Sequence, residues 1–184
     1  MTALAQPLPR TGLVALGSAV AGAISILAVI GAMHLGGGST AAPSPHVFAG
    51  AGFRLSVPDG WTAMRGKALE RVPGSPLAVV RRADGRGVVV VRSTGALSGD
   101  LRGVARGLTA DLKARIPGFR LVSARLGSVR AGGAFLYTFA RGSSAQSLAV
   151  TRVDGKTYRI DSIVPAGSAD SARQAGAIAA SFGP

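Results

Sequence analysis

Between Arg10 and Arg54 the chain carries no formally charged side chain at neutral pH. From Gly12 to Leu35 it is apolar or small throughout, broken only by Ser18, Ser25 and His34. At ~1.5 Å per helical residue this segment reaches roughly 36 Å, more than the ~30 Å hydrocarbon core of a bilayer, so it predicts a transmembrane helix over residues 12–35. A secretory signal is the alternative, with Ser39-Thr40-Ala41 as the cleavage site and secretion as the outcome. Its apolar core is usually only ~7–15 residues, however, and this one is longer. Arg10 and the α-amino group flank the segment on its N-terminal side, while the other side has no cation before Arg54. That asymmetry puts residues 1–11 in the cytoplasm and everything after the helix outside it. Ala15, Ala19 and Ala23 recur at a spacing that lets two helices approach, which an Ala-rich composition alone also produces.

Residues 36–46 are small, uncharged and rich in Gly, Ser and Pro, the composition of a flexible tether. Residues 47–184 are then long enough for one domain that buries a core without disulfides or metal. The mean hydropathy of +0.36 owes most to the anchor.

Along residues 47–184 the apolar period switches between two and about 3.6, a mixed α and β signature. Phe53-Arg54-Leu55-Ser56-Val57 alternates and stops at Pro58-Asp59-Gly60, as a strand entering a turn does. Leu77 to Arg81 and Val88 to Arg92 flank Asp84-Gly85-Arg86-Gly87 and predict a hairpin. Leu101, Val104, Leu108 and Leu112 recur at helical spacing, with Ser98 or Asp100 as the cap and Pro117-Gly118 as the stop. Phe119 to Ser123 and Leu126 to Arg130 are extended, and Gly132-Gly133 turns the chain into Ala134 to Ala140, where Phe135, Tyr137 and Phe139 share a face. Ser147 to Val153 and Lys156 to Val164 flank Asp154-Gly155, the sequence of a type I′ hairpin turn. A last helix from about Ala169 to Phe182 is expected to bury Ala172, Ala175, Ile178, Ala179 and Phe182. The order β-ββ-α-βββββ-α describes an α+β domain with one antiparallel sheet and helices packed on it.

The opening strand with Val57-Pro58-Asp59-Gly60-Trp61, the central amphipathic helix and the closing Ala180-Ser181-Phe182 together resemble the PsbP-like superfamily, over roughly Phe48 to Phe182. The resemblance is to its bacterial envelope members in particular, such as the LpqN-type lipoproteins of actinobacteria. It implies an α/β/α sandwich around one antiparallel sheet, serving as a non-enzymatic extracytoplasmic accessory or binding module. This chain departs from the lipoproteins in lacking a Cys for lipid attachment. Photosynthetic relatives bind metal cofactors, and with the only two His at 34 and 46 that role finds no residues here. The eukaryotic relative that binds a small GTPase is similar in fold alone, and fold does not transmit function.

Absence of Cys and of a domain His removes Ser-His-Asp and Cys-His nucleophiles and imidazole or thiolate metal sites, so no catalytic set, metal or cofactor is expected. Asp59, Asp84 and Asp154 suit turns, Asp100 and Asp170 helix starts, and Asp111 a helix surface. Glu70 and Asp161 remain, and pairing with neighbouring Arg is the plainer role for each than catalysis. Trp61 is expected to close a core and the Phe135/Tyr137/Phe139 face to lie beneath a helix. Of 21 Lys and Arg, setting Arg10 aside leaves 20 against 8 acids, a net charge of +12 after the tether. Such an excess attracts anionic lipid or wall polymer outside a membrane, and nucleic acid were the topology reversed. The densest candidate anion site joins Arg81, Arg82 and Arg86 to Arg102 and Arg106. An Arg-rich, Ala- and Gly-rich composition explains the same charge without a binding face. The partners this reading implies are the bilayer, through residues 12–35, and an envelope protein or anionic polymer.

Overall fold

The computed structural model describes residues 46–95 and 99–184. The expected transmembrane helix, all of the tether except His46, and Ser98 lie outside the described residues. No helix among the described residues is long and apolar enough to cross a membrane.

The elements in chain order are β1 (His46–Gly50), β2 (Phe53–Val57), β3 (Trp61–Ala63), α1 (Lys67–Glu70), β4 (Ala78–Arg82) and β5 (Val88–Gly95). They continue with α2 (Leu101–Arg115), β6 (Arg120–Val129), β7 (Gly132–Arg141), β8 (Ser144–Val153), β9 (Lys156–Pro165) and α3 (Ala169–Ala180). β1 and β2 form a separate hairpin, and the other strands make one seven-stranded antiparallel sheet in the order β3-β4-β5-β9-β8-β7-β6. β9 thus inserts between β5 and β8, which makes the most C-terminal strand the centre of the sheet.

Both faces are covered. On one, α3 and the β1–β2 hairpin enclose Trp61, Val80, Val89, Val91, Ile160 and Ile178. On the other, α2 lies over β7 and β8, packing Val104, Ala105, Leu108 and Leu112 on Tyr137, Phe139, Leu148 and Val150. Beside it the α1 segment covers Val79, Val88, Val90 and Ile163 with Val72, Met64 and Leu69. This double cover explains why Val88 to Val91 is a continuous apolar run, whereas β2, covered on one face, alternates.

Most elements follow from local chemistry. The Asp100 carboxylate accepts from the Gly103 amide at 2.6 Å and caps α2. Asp154 (φ 49°) and Gly155 (φ 74°) both hold positive φ, as the β8–β9 turn demands. The C-terminus is stitched down by backbone bonds: Arg54 and Gly183 exchange two, at 2.6 and 3.3 Å, and Ala131 N–H donates to Phe182 C=O at 2.8 Å. Phe182 then stacks on Phe53 at 5.2 Å between ring centroids.

Several expectations need correction. His46, expected in the tether, belongs to β1 and pairs with Val57. The two extended stretches after α2 are one strand, β6, continued through a bulge between Leu121 and Ser123. Gly132-Gly133 is no turn; the chain reverses at Arg130-Ala131 and both glycines open β7. β1, β3 and α1 have no counterpart in the expected order. α3 ends at Ala180, and Ala172 is exposed while Ser171 takes the buried position, its hydroxyl accepting from Arg82 at 2.8 Å.

Candidate functional site

The charged side chains sort into a buried group and an exposed one. On β9, Arg159 and Asp161 project to the face shared by α1 and α2, and Arg92 on β5 stands opposite Arg159. Asp161 Oδ1 accepts from Arg159 Nε at 2.9 Å and Nη2 at 2.7 Å, a forked pair, and Asp161 Oδ2 accepts from Arg92 Nη1 at 3.3 Å. All three are at most 5% exposed. Leu148 and Val150 of β8 flank them on one side and Val90 of β5 on the other, with Ile163 next along β9, so the triad fills the seam between the two apolar clusters of that face. Two guanidinium groups share one carboxylate there, leaving a buried excess of one positive charge. Burial, first of all, lowers the Arg92 pKa below its ordinary value; Asp161 raises it and Arg159 lowers it further. The Arg159 Nη1 atom is buried with no hydrogen-bond partner among the described residues.

Asp161 therefore has the role expected of it, pairing with Arg. Glu70, at the end of α1, forms no ion pair among the described residues, contrary to the same expectation. Asp111 is no free surface group either: its side chain is only 12% exposed and is bonded to Arg115 one turn on.

The five predicted cations do not form one surface. Arg82 points to the α3 face with Val80, where it bonds Asp84 and Asp170, each at 3.1 Å, and Ser171. Gln174 of α3 accepts from Trp61 Nε1 at 2.7 Å in the same network, which seats the Trp61 ring in the core as expected. Arg81, one residue earlier on the strand, projects to the opposite face with Val79. Arg102 and Arg106 are exposed on α2, over the other half of the sheet. Arg86 borders a recess of about 150 Å³ between the β4–β5 turn and Ser143, Ser144 and Pro165. It is the sole charged residue of that lining. A smaller recess of about 60 Å³ lies under α3, lined by Thr138, Ser147, Ser162 and Ala175.

On the α2 face, the Tyr137 hydroxyl bonds Ala105 C=O and the Thr109 hydroxyl, while Phe119 and Phe139 meet at 5.2 Å. Burial raises the Tyr137 pKa, with the Thr109 bond opposing. The Phe135/Tyr137/Phe139 face is thus core beneath a helix, as its spacing predicts. Among the described residues no three His, Asp or Glu side chains converge as metal ligands would.

Sequence reading missed the partners of Asp161. The signal was present: Arg159 and Asp161 sit two apart in a strand, and Arg92 follows the run Val88 to Val91, so period-two alternation puts all three on an inward face.

The domain so built has the PsbP-like fold. It is similar to the solution structure of cyanobacterial PsbP from Synechocystis sp. PCC 6803, at 16% identity over 80% of this chain and 97% of that one, with a TM-score of 0.55. It is similar also to the crystal structure of LpqN of Mycobacterium tuberculosis, described as involved in cell envelope biogenesis, at 13% identity over 77% and 87% of the chains and a TM-score of 0.50. No family model and no curated protein matches the chain.

Proposed function

We propose that this chain is a non-enzymatic accessory or binding protein of the bacterial cell envelope, anchored by residues 12–35, with its PsbP-like domain on the extracytoplasmic side. The fold carries the reading, since the domain shares its architecture with LpqN, a protein described as involved in envelope biogenesis. The uncharged apolar segment at residues 12–35 supports the address. Alkaline phosphatase and GFP, each fused after Pro184, test it: an active phosphatase and dark GFP are expected. Bright GFP with a silent phosphatase refutes the topology, and release of the chain into the medium or by alkaline carbonate refutes the anchor.

A second reading, electrostatic binding of anionic lipid, wall polymer or nucleic acid, is favoured by the distribution of acids. Asp84, Asp111, Asp161 and Asp170 are taken up by Arg82, Arg92, Arg115, Arg159 and Arg173, whereas Arg81, Arg102 and Arg106 form no ion pair among the described residues. This binding weakens steeply with salt. Retention on heparin that is indifferent to ionic strength rejects it.

A further inference from the structure

We propose that the outer edge of β6 docks an extended segment of a partner protein, alternating apolar and acidic residues, which adds to the sheet as a further strand. The proposal rests on reading the domain as a binding module and is independent of its address.

The two ends of the sheet differ. β3 is three residues long, whereas β6 runs for ten and, among the described residues, pairs on its inner side only, with β7. Its free side presents a row of backbone N–H and C=O groups, the template on which strand addition works. Of the four large hydrophobic residues exposed among the described residues, Leu121 (41%), Val122 (61%) and Leu126 (45%) all lie on β6.

The register sorts these side chains. Leu121, Ala124 and Leu126 stand opposite Phe139, Tyr137 and Phe135, and so on the α2 face, while Arg120 and Arg125 oppose Ala140 and Leu136 on the α3 face. An added strand that sets apolar residues against Leu121 and Leu126 therefore sets its alternate residues against Arg120 and Arg125, where acids fit. Neither β6 nor β7 contains an acid. α2 reinforces the field. Thr109, on the helix flank that also carries Arg102, Arg106 and Lys113, bonds Tyr137 of β7, the strand that adjoins β6.

The same charges exclude two other occupants. A second copy would bring together two edges bearing Arg120 and Arg125 on domains of net charge +12, and the Leu121–Ser123 bulge further disfavours self-pairing. Residues 1–45 of this chain contain one Arg and no acid, so they offer the edge no complement.

The test uses the full-length chain in detergent and three fluorescein-labelled peptides of about ten residues: alternating Val-Glu, alternating Val-Lys, and Val-Glu interrupted by two prolines that cannot donate to a ladder. Anisotropy is expected to show the Val-Glu peptide bound at least about tenfold tighter than either control, and hydrogen exchange to slow at outward amides of β6. The surface variant R120E/R125E should keep its melting temperature and lose about tenfold in affinity, the scale that a few exposed ion pairs carry together. Equal binding of the proline-interrupted peptide, unchanged exchange at β6, or unaltered affinity of R120E/R125E overturns the proposal. So does a sedimentation-detected dimer protected at β6. Binding to phosphatidylglycerol vesicles or an oligonucleotide that R120E/R125E abolishes, with no competition by the Val-Glu peptide, assigns the edge to those polyanions and overturns it too. A failed topology assay beside a positive peptide result removes the address alone.

Discussion

Replacing Asp161 by Asn preserves shape and removes one charge from a site where two guanidinium groups depend on it. Arg92 and Arg159 are register partners on adjacent strands, each 3% exposed, and both donate to this carboxylate. In D161N they face one another across a neutral amide that can accept at only one oxygen. Removing one partner of a buried ion pair costs ~3–5 kcal/mol, mostly the penalty of leaving the remaining charge buried. A domain of this size has ~7–15 kcal/mol in total, so the variant loses roughly a third of it. Its melting temperature should fall by roughly 10–20 °C. Urea unfolding reads the loss directly, because Trp61 is the single tryptophan and is fully buried. The control is the apolar triple variant R92M/D161L/R159M. If the triad serves only to fill the seam between two clusters, this variant should match or exceed the wild type, as apolar replacements of buried ion pairs often do. A D161N cost under ~1 kcal/mol would show the site to be hydrated and the reasoning wrong. A triple variant that stays folded but loses partner binding would show the triad to be a ligand site.

Gly87 lies against the Trp61 ring, and a Cβ there would meet Trp61 Cη2 at 2.7 Å. Gly87→Ala should cost ~1–3 kcal/mol in urea unfolding and change the tryptophan emission; wild-type stability with unchanged emission contradicts the packing. Tyr137→Phe removes the bonds to Ala105 and Thr109, at ~0.5–1.5 kcal/mol near neutral pH. Because burial raises the folded-state pKa of Tyr137, the stability linked to its proton is complete below the ordinary phenol value of ~10 and is lost as pH rises through the folded value. Tyr137→Phe should therefore flatten the alkaline decline of the urea midpoint, and an identical decline in both proteins refutes the assignment.

Local chemistry made much of the fold legible. A cap, a stop and a four-residue apolar spacing suffice for α2, and Asp154-Gly155 suffices for the last hairpin, because both depend on groups a few residues apart. The boundaries that went astray were those set by distant partners. β6 reads as two pieces because nearly all of it is exposed and no inward face imposes an alternation across Ala124 and Arg125, yet pairing with β7 carries it through. Ala172 has the right spacing for the core, but Ser171 takes the buried position and accepts a hydrogen bond from Arg82, 89 residues away in sequence. The placement of β9 between β5 and β8 is invisible in any local window.

Charge divides in the same way. Composition alone determines that this domain is strongly basic and has no thiol, and it puts an uncharged apolar stretch ahead of the fold. Which cations are consumed in ion pairs and which stay exposed is a question of sheet register. Successive residues of one strand point to opposite faces, so Arg81 and Arg82 are neighbours in sequence and strangers in space, while Arg92 and Arg159 meet across a shared carboxylate 69 residues from the first of them.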